Sequence, residues 1–384
     1  MGANAERRPL RVLHVFATFV PAGPQLRTLD LIAGLGEAFE HEIIACDDNL
    51  SARHSTPAGC RYACLPCPKG SGLLGSVRAW RTLLNESKPD LLLTYNWGSF
   101  DAVLAARSLG LGHHVHHEEG FNADEARGQL RRRVWARRLG LGRIARLVVP
   151  SRVLECAAKE AWKVDPLRVQ LVLNGVCTDR FRSNGTDRER IRSEFGLTSE
   201  DLLLGSVGHL RPIKRYDRLL RSLARLRAGE GGERVHLCLV GAGEERERLE
   251  ALAVDLGLAD RVHWAGHQSD LAGWYSAMDL FTLTSDSEQL PVSLLEAMAC
   301  GLAVAGTDVG DVRSTLPEST GDQLVPLAHD DVEGELARLY AELLADPDKR
   351  AAQGRLNRER VRRDYSREKM LTAYRDLYLE AAKQ

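Results

Sequence analysis

The chain has 384 residues, too many for one average domain, and 44% of them are hydrophobic, enough for two substantial cores. A formal net charge of −1 argues against a nucleic-acid partner, although it hides a split in which residues 1–185 carry a net +7 and the remainder −8. No run of about 18 apolar residues is present, and "MGANAERRPL" lacks the apolar core of a secretory signal, so a cytoplasmic chain is expected. Its eight cysteines then read as free thiols. Cys60, Cys64 and Cys67 lack a second Cys/His pair at zinc spacing, so no metal is expected there.

In chain order, short apolar runs alternate with amphipathic stretches. "RVLHVFATF", "HEIIAC", "DLLLTYN", "HHVHHEE" and "ARLVVPS" read as strands of a first set. "LLLGSVGHL", "RVHLCLVGAG", "RVHWAGH", "DLFTLTS" and "LAVAGTDVG" read as strands of a second. Helical stretches such as "DRLLRSLARLRA" lie between most of them. This alternation predicts an α/β chain of two Rossmann-like lobes, each a doubly wound parallel sheet, facing a cleft. The break falls at "VLNGVCTDRFRSNG", where Asn174-Gly175 and Asn184-Gly185 are turn dipeptides. The first lobe is expected over 1–180, with a C-terminal helix at about 366–384 returning to it. The second is expected over 181–365.

Two stretches of the first half stand out. In "HHVHHEEGF", strand alternation puts His114 and His116 on one face and His113, His117 and Glu119 on the other. "ARGQLRRRVWARRLGLGRIARL" carries eight arginines from Arg127 to Arg146 and no acid. With Leu130, Val134, Trp135 and Leu139 among them it reads as a basic amphipathic helix. Either the arginines form an ordinary solvated face, or the segment docks on an anionic membrane surface or a lipid-linked phosphate.

The second half carries the stronger signals. In "GSVGHLRPIKRYDRLL" a strand runs into Gly208, and Arg211 and Lys214 follow before a helix; glycine allows close backbone approach, and the cations suit phosphate. "LVGAGEERERL" is another glycine turn opening a helix, at Gly241. In "SDSEQLPVSLLEAMACG" a loop ends at Pro291, which is tolerated in a helix's first turn, where free N–H groups suit an anion. Glu288 lies beside that turn. Glu296 lies within the helix among apolar residues, where a carboxylate needs a partner; the two hydroxyls of a ribose would serve.

These residues carry a resemblance. "SEQLPVSLLEAMACGLAVAGTDVGDV" resembles the E-x7-E signature of retaining, nucleotide-sugar-dependent glycosyltransferases with the GT-B fold, the group-four family. "PAGPQLRTLDLIAGL" is similar to the family's first glycine loop, "VLNGV" to its domain crossover and "GHLRPIKRYDRLL" to its phosphate loop. The resemblance implies that Glu296 holds the donor ribose, Glu288 the donor sugar hydroxyls, and Lys214 with Arg211 the diphosphate. It adds Gly208, His209, Gly241, Gln289, Leu290, Pro291 and Val292 to the donor side. It places Gly23, Pro24, Gln25, His117 and Glu119 on the acceptor side, and makes Glu288, Lys214, Arg211, His117 and Glu119 the catalytic candidates. The implied donor is a nucleotide-diphosphate-sugar, and the implied acceptor a lipid-linked or polysaccharide glycan. No metal or other cofactor is implied, and a peripheral site on the inner face of the cytoplasmic membrane follows if the basic helix docks there. The chain departs from the family pattern at His209, where arginine is usual, at Gln289, where glycine is frequent, and in having Gly23 alone where a glycine pair is usual. A nucleotide-sugar epimerase, or a non-catalytic sugar-nucleotide-binding subunit of a glycan assembly complex, is the alternative on the same lobes.

Overall fold

A computed structural model describes residues 8–120, 125, 128–142, 144, 146–229 and 231–384. The chain forms two compact units: one runs up to Leu173 and resumes over Met370–Gln384, and the other is Asn174–Lys369.

The first unit contains β1 (Leu10–Phe16), α1 (Gly23–Leu35), β2 (Phe39–Ala45), β3 (Ala63–Cys64), α2 (Gly72–Ser87), β4 (Leu91–Tyr95), α3 (Phe100–Leu109), β5 (His114–His117), α4 (Arg131–Leu141), β6 (Arg146–Val149), α5 (Arg152–Glu160) and β7 (Val169–Leu171). Its seven strands pair in parallel in the order β3-β2-β1-β4-β5-β6-β7. Every residue of β4 and β5 is buried. That is the pattern of interior parallel strands covered on both faces, and it explains why β4 reads as an apolar run.

The second unit contains α6 (Gly185–Glu194), β8 (Leu202–Val207), α7 (Tyr216–Arg227), β9 (Val235–Val240), α8 (Arg246–Asp255), β10 (Val262–Gly266), α9 (Ala272–Ala277), β11 (Leu280–Leu283), α10 (Val292–Ala299), β12 (Val304–Asp308), α11 (Val312–Thr315), β13 (Leu324–Pro326), α12 (Val332–Ala345) and α13 (Pro347–Asp364). Its parallel sheet has the order β10-β9-β8-β11-β12-β13. Leu219, Leu220 and Leu223 of α7 pack with Leu336, Leu339, Tyr340 and Leu343 of α12 over this sheet. Asp346 separates α12 from α13, and its carboxylate accepts from the Lys349 N–H at 2.8 Å, so it starts the second helix as well as ending the first.

The last helix, α14 (Arg367–Ala381), belongs to the first unit's core from Met370 onward. Met370, Tyr374, Leu377 and Tyr378 pack with Phe16, Leu29, Ile32, Phe39 and Leu93. The Arg375 guanidinium donates to the carbonyls of Gly34 and Leu35 at the end of α1, both at 3.3 Å.

All ten strands expected from the sequence form. The sheets gain three more, β3, β7 and β13, of two or three residues each. Runs that short carry no readable period.

Candidate active site

Each sheet has one place where its strand order reverses. In the second unit it lies between β8 and β11. Ligands of open parallel sheets bind beyond the carboxyl ends of the strands at such a point. The loops following β8 and β11 are those that carry Arg211, Lys214 and Glu288.

The loop after β8 lies on the loop after β9. The Gly208 N–H donates to the Val240 carbonyl at 2.9 Å and the Leu210 N–H to Ala242 at 3.0 Å. A Cβ on Gly241, at φ +145°, would meet the Gly208 carbonyl oxygen at 1.9 Å, so the contact requires glycine. His209 and Arg211 are exposed. Pro212–Lys214 forms one 3₁₀ turn. Arg215 follows in the left-handed region at φ +52°, uncommon for a residue with a Cβ, and opens α7.

A charged clamp fixes this loop to the one after β11. Arg215 donates from Nε and Nη2 to the Asp217 carboxylate at 3.0 and 3.1 Å, and from Nη1 to both Asp286 oxygens at 3.2 and 3.1 Å. Arg218, buried, donates to Asp286 Oδ1 at 2.7 Å and to the Thr284 carbonyl at 2.6 Å. The Asp286 N–H donates to the Ile213 carbonyl at 2.9 Å, and Thr284 Oγ1 to the carbonyls of Lys214 and Arg215, both at 3.1 Å. At the mouth of the clamp, Lys214 Nζ donates to Glu288 Oε1 at 2.6 Å, and Ser285 Oγ donates to the same oxygen at 2.7 Å. Gly310, at φ +55°, backs the loop: a Cβ there would meet the Glu288 carbonyl oxygen at 2.0 Å.

The loop enters α10 through Pro291, with Leu290 and Pro291 buried and Val292 and Gln289 partly exposed. Asn174 Nδ2 donates to the Leu290 carbonyl at 3.0 Å. Further along α10, the Tyr275 hydroxyl of α9 donates to Glu296 Oε2 at 2.7 Å. Burial pushes the Glu296 carboxyl up to about 7, against the Tyr275 hydrogen bond and the charge of Arg180. Burial, with the Glu296 charge added, pushes the Tyr275 hydroxyl well above its ordinary value. Among the described residues no other side-chain bond reaches this carboxylate, which leaves its Oε1 with capacity to accept. The loop partners Ser285, Arg215, Arg218 and Asp286, and Tyr275 for Glu296, are absent from the sequence reading. Asp286, two residues before Glu288, and Arg215, directly after Lys214, are the two whose spacing offered a signal.

In the first unit the reversal lies between β1 and β4. A cavity of about 390 Å³ opens beyond the carboxyl ends of β2 and β4, lined in part by Cys46, Lys69, Ser76, Trp80, Gly98 and Asp101. The expected acceptor residues stand elsewhere. Gly23 and Pro24 start α1, and Gln25 is buried, its Nε2 donating to the Thr18 carbonyl at 2.9 Å while its Oε1 has no partner among the described residues. His117, expected on the acceptor side, lies in the interior of the fold. It is 0% exposed, stacked on Tyr95 at 4.6 Å, with Nε2 3.3 Å from the Tyr378 hydroxyl. Burial first, then the Arg27 charge, holds it neutral, well below its ordinary pKa. The cause is β5's interior position, which covers both of its faces, so alternation selects no open side. Glu119 is bound in a fork by both terminal nitrogens of Arg27, at 2.6 Å for Nη1–Oε2, and both side chains are 7% exposed. The Arg27 guanidinium lies over the Tyr374 ring at 5.6 Å.

Residues 187–360 match the family model described as glycosyl transferases group 1, and residues 22–175 match that of the glycosyl transferase 4-like domain. The chain belongs to the group-four glycosyltransferases of the GT-B fold. It is 35% identical over 195 residues to D-inositol 3-phosphate glycosyltransferase 2 of Catenulispora acidiphila, covering 48% of this chain and 44% of that protein. It is also 35% identical over 202 residues to the D-inositol 3-phosphate glycosyltransferase of Thermobispora bispora, covering 50% and 46%. The matches thus span somewhat under half the length of these curated relatives. Among solved structures this GT-B chain is similar to Anabaena HepE in complex with UDP and glucose, with a TM-score of 0.79 over 98% of this chain and 100% of that one at 16% identity. Sucrose-phosphate synthase from Thermosynechococcus elongatus gives a TM-score of 0.79 over 96% and 98%, at 20% identity.

The arginine-rich segment of this group-four chain is not one solvated face. Arg137 is 1% exposed, donating to Glu118 at 3.1 Å and to both Glu125 oxygens at 3.1 and 3.2 Å. Arg133, also buried, donates to Glu125 at 2.9 Å. Trp97 lies under both guanidiniums and Trp162 under Arg137. Arg138 donates to the Ala161 carbonyl at 2.7 Å. Arg131 and Arg132 remain exposed, beside Trp135 at 60% and Leu139 at 62% exposure. Arg127 and Arg143 lie outside the described residues. No helix among the described residues is long and apolar enough to cross a membrane.

Proposed function

We propose that the chain is a retaining glycosyltransferase that moves a sugar from a nucleotide-diphosphate donor, held by the second unit, to a hydroxyl acceptor. The observation that carries this reading is the set of incompletely satisfied polar groups at the β8–β11 reversal. Glu296 has one oxygen on Tyr275 and accepting capacity left, as a ribose diol needs. Lys214 reaches Glu288, just ahead of α10, and the exposed Arg211 is on the same loop as Lys214, a setting for a diphosphate. Glu288 lies where the sugar hydroxyls follow. As the anomeric C–O bond breaks, its electrons pass to the diphosphate; Lys214, Arg211 and the helix N–H groups stabilise that charge with no divalent ion. The acceptor oxygen bonds to the anomeric carbon on the leaving-group face, and its proton passes to the departing diphosphate.

We assign the acceptor to the first unit, where the cavity at Lys69 and Asp101 offers a cation and a carboxylate to a polar molecule. The exposed Arg131, Arg132, Trp135 and Leu139 favour a lipid-linked glycan presented at an anionic surface. The relatives' names supply the rival, a polyol phosphate. Purified protein incubated with UDP-, GDP- and ADP-sugars and both acceptor classes, in EDTA, tests the reading. Acceptor-dependent release of a nucleoside diphosphate supports it. An epimerised sugar nucleotide with no acceptor consumed, or activity only on addition of a divalent ion, contradicts it.

A further inference from the structure

The donor reading gives Lys214 to the diphosphate and Glu288 to the sugar, yet in the fold each of these side chains holds the other. Lys214 Nζ and Glu288 Oε1 are 2.6 Å apart, with the side chains 22% and 10% exposed. We infer that this ion pair is an exchange contact through which the site prefers the intact nucleotide-sugar to the spent nucleoside diphosphate. The inference rests on the donor reading above.

The backbones on either side cannot separate to ease the exchange. Asp286 is held by Arg215, Arg218 and the Ile213 carbonyl, and Thr284 by the carbonyls of Lys214 and Arg215. Only the two side chains can re-partner. A nucleoside diphosphate that draws Lys214 to its phosphates leaves the Glu288 carboxylate, mostly buried, with the Ser285 hydroxyl alone. An uncompensated charge in such a place is costly. An intact donor brings sugar hydroxyls to Glu288 as it takes the ammonium, so both halves of the broken pair are replaced. Once the sugar has left for the acceptor, Glu288 reclaims Lys214 and the nucleotide is loosened. Lys214 and Glu288 thus set specificity between substrate and product, in addition to their direct contacts.

Calorimetry on the full chain with UDP, GDP and ADP, and with their glucose esters, tests the exchange. For the base that the wild type binds, Glu288→Gln removes the competitor for Lys214. The expected result is nucleoside diphosphate binding tightened about fivefold or more while sugar-nucleotide binding weakens. Ser285→Ala removes the second donor to Glu288 Oε1 and makes the carboxylate depend more on Lys214, so nucleoside diphosphate binding should weaken. Thermal melts establish that both variants are folded, and Ser285→Ala decides if Glu288→Gln is not. Diphosphate affinity unchanged or lowered in folded Glu288→Gln, or raised in Ser285→Ala, overturns the exchange while leaving the donor site standing. Failure of every probe to bind the wild type overturns the donor reading and the exchange with it.

Discussion

Arg137 in the first unit and Lys214 in the second are both cations paired with glutamates, but their surroundings differ. Arg137 is 1% exposed, has two carboxylates on its guanidinium and two tryptophan rings packed against it. Arg27 has a forked carboxylate and a tyrosine ring. Lys214 has one carboxylate oxygen, shared with a serine, and its side chain is 22% exposed. Glu296 has one tyrosine. Arg137 and Arg27 bind carboxylates through three and two nitrogens, whereas Lys214 and Glu296 each hold one side-chain partner among the described residues. Burial of charge is therefore common to both units, and among these four side chains it is the number of partners that differs between the candidate site and the internal pairs.

That difference has measurable consequences. Glu125→Ala takes one bond from Arg133 and two from Arg137, so it should cost about 3–5 kcal/mol of stability in denaturant melts. Donor affinity in the folded fraction should be unchanged; a loss below about 1 kcal/mol would mean that the pair is not locked. Lys214→Ala should do the reverse, lowering turnover about 100-fold, or about 2.7 kcal/mol, with little change in melting. Wild-type turnover in that variant removes Lys214 from the chemistry.

A smaller effect is expected at Glu296. Burial favours the neutral form of its carboxyl and pushes it up to about 7, above the ordinary 4.5. The folded state therefore binds this proton more tightly than the unfolded chain does, and the associated stability is present at low pH and lost as pH rises through about 7. A ribose diol donates best to the charged form, so donor affinity should increase over the same interval, by about tenfold, or about 1.4 kcal/mol. Glu296→Gln should abolish the step in a calorimetric pH series; a step that persists belongs to another group. The smallest effect belongs to the exposed face of α4. Arg131→Gln and Arg132→Gln should each weaken sedimentation with anionic vesicles by about 1 kcal/mol, more at low salt than at high. Equal binding of wild type and variants makes that face an ordinary solvated one.

The sequence reading reached the sheets and the β8–β11 loops because apolar runs and turn residues are local. It also posed the right problem at Glu296, a carboxylate on a packed helix, without finding Tyr275, which comes from a separate helix 21 residues upstream. It had Lys214 and Glu288 as separate ligand contacts but not as partners, because their 74-residue separation carries no period. Alternation sorted the histidines of β5 onto two faces but could not show that both are covered, as an interior strand's are. The arginine run looked unpaired because its acids, Glu118 and Glu125, stand just ahead of it in the sequence.

The placement of α14 bears on how the chain is made. The first unit's core is not complete until Met370, Tyr374, Leu377 and Tyr378 arrive, yet about 200 residues of the second unit are translated in between. At 5–20 residues per second that interval is about 10–40 s. Throughout it the surface that Tyr374 and Tyr378 will cover, with Phe39, Tyr95 and His117 beneath, stays open to chaperones and to other nascent chains. The second unit's residues are contiguous and follow one another from the ribosome, so the half of the protein that is begun first is finished last.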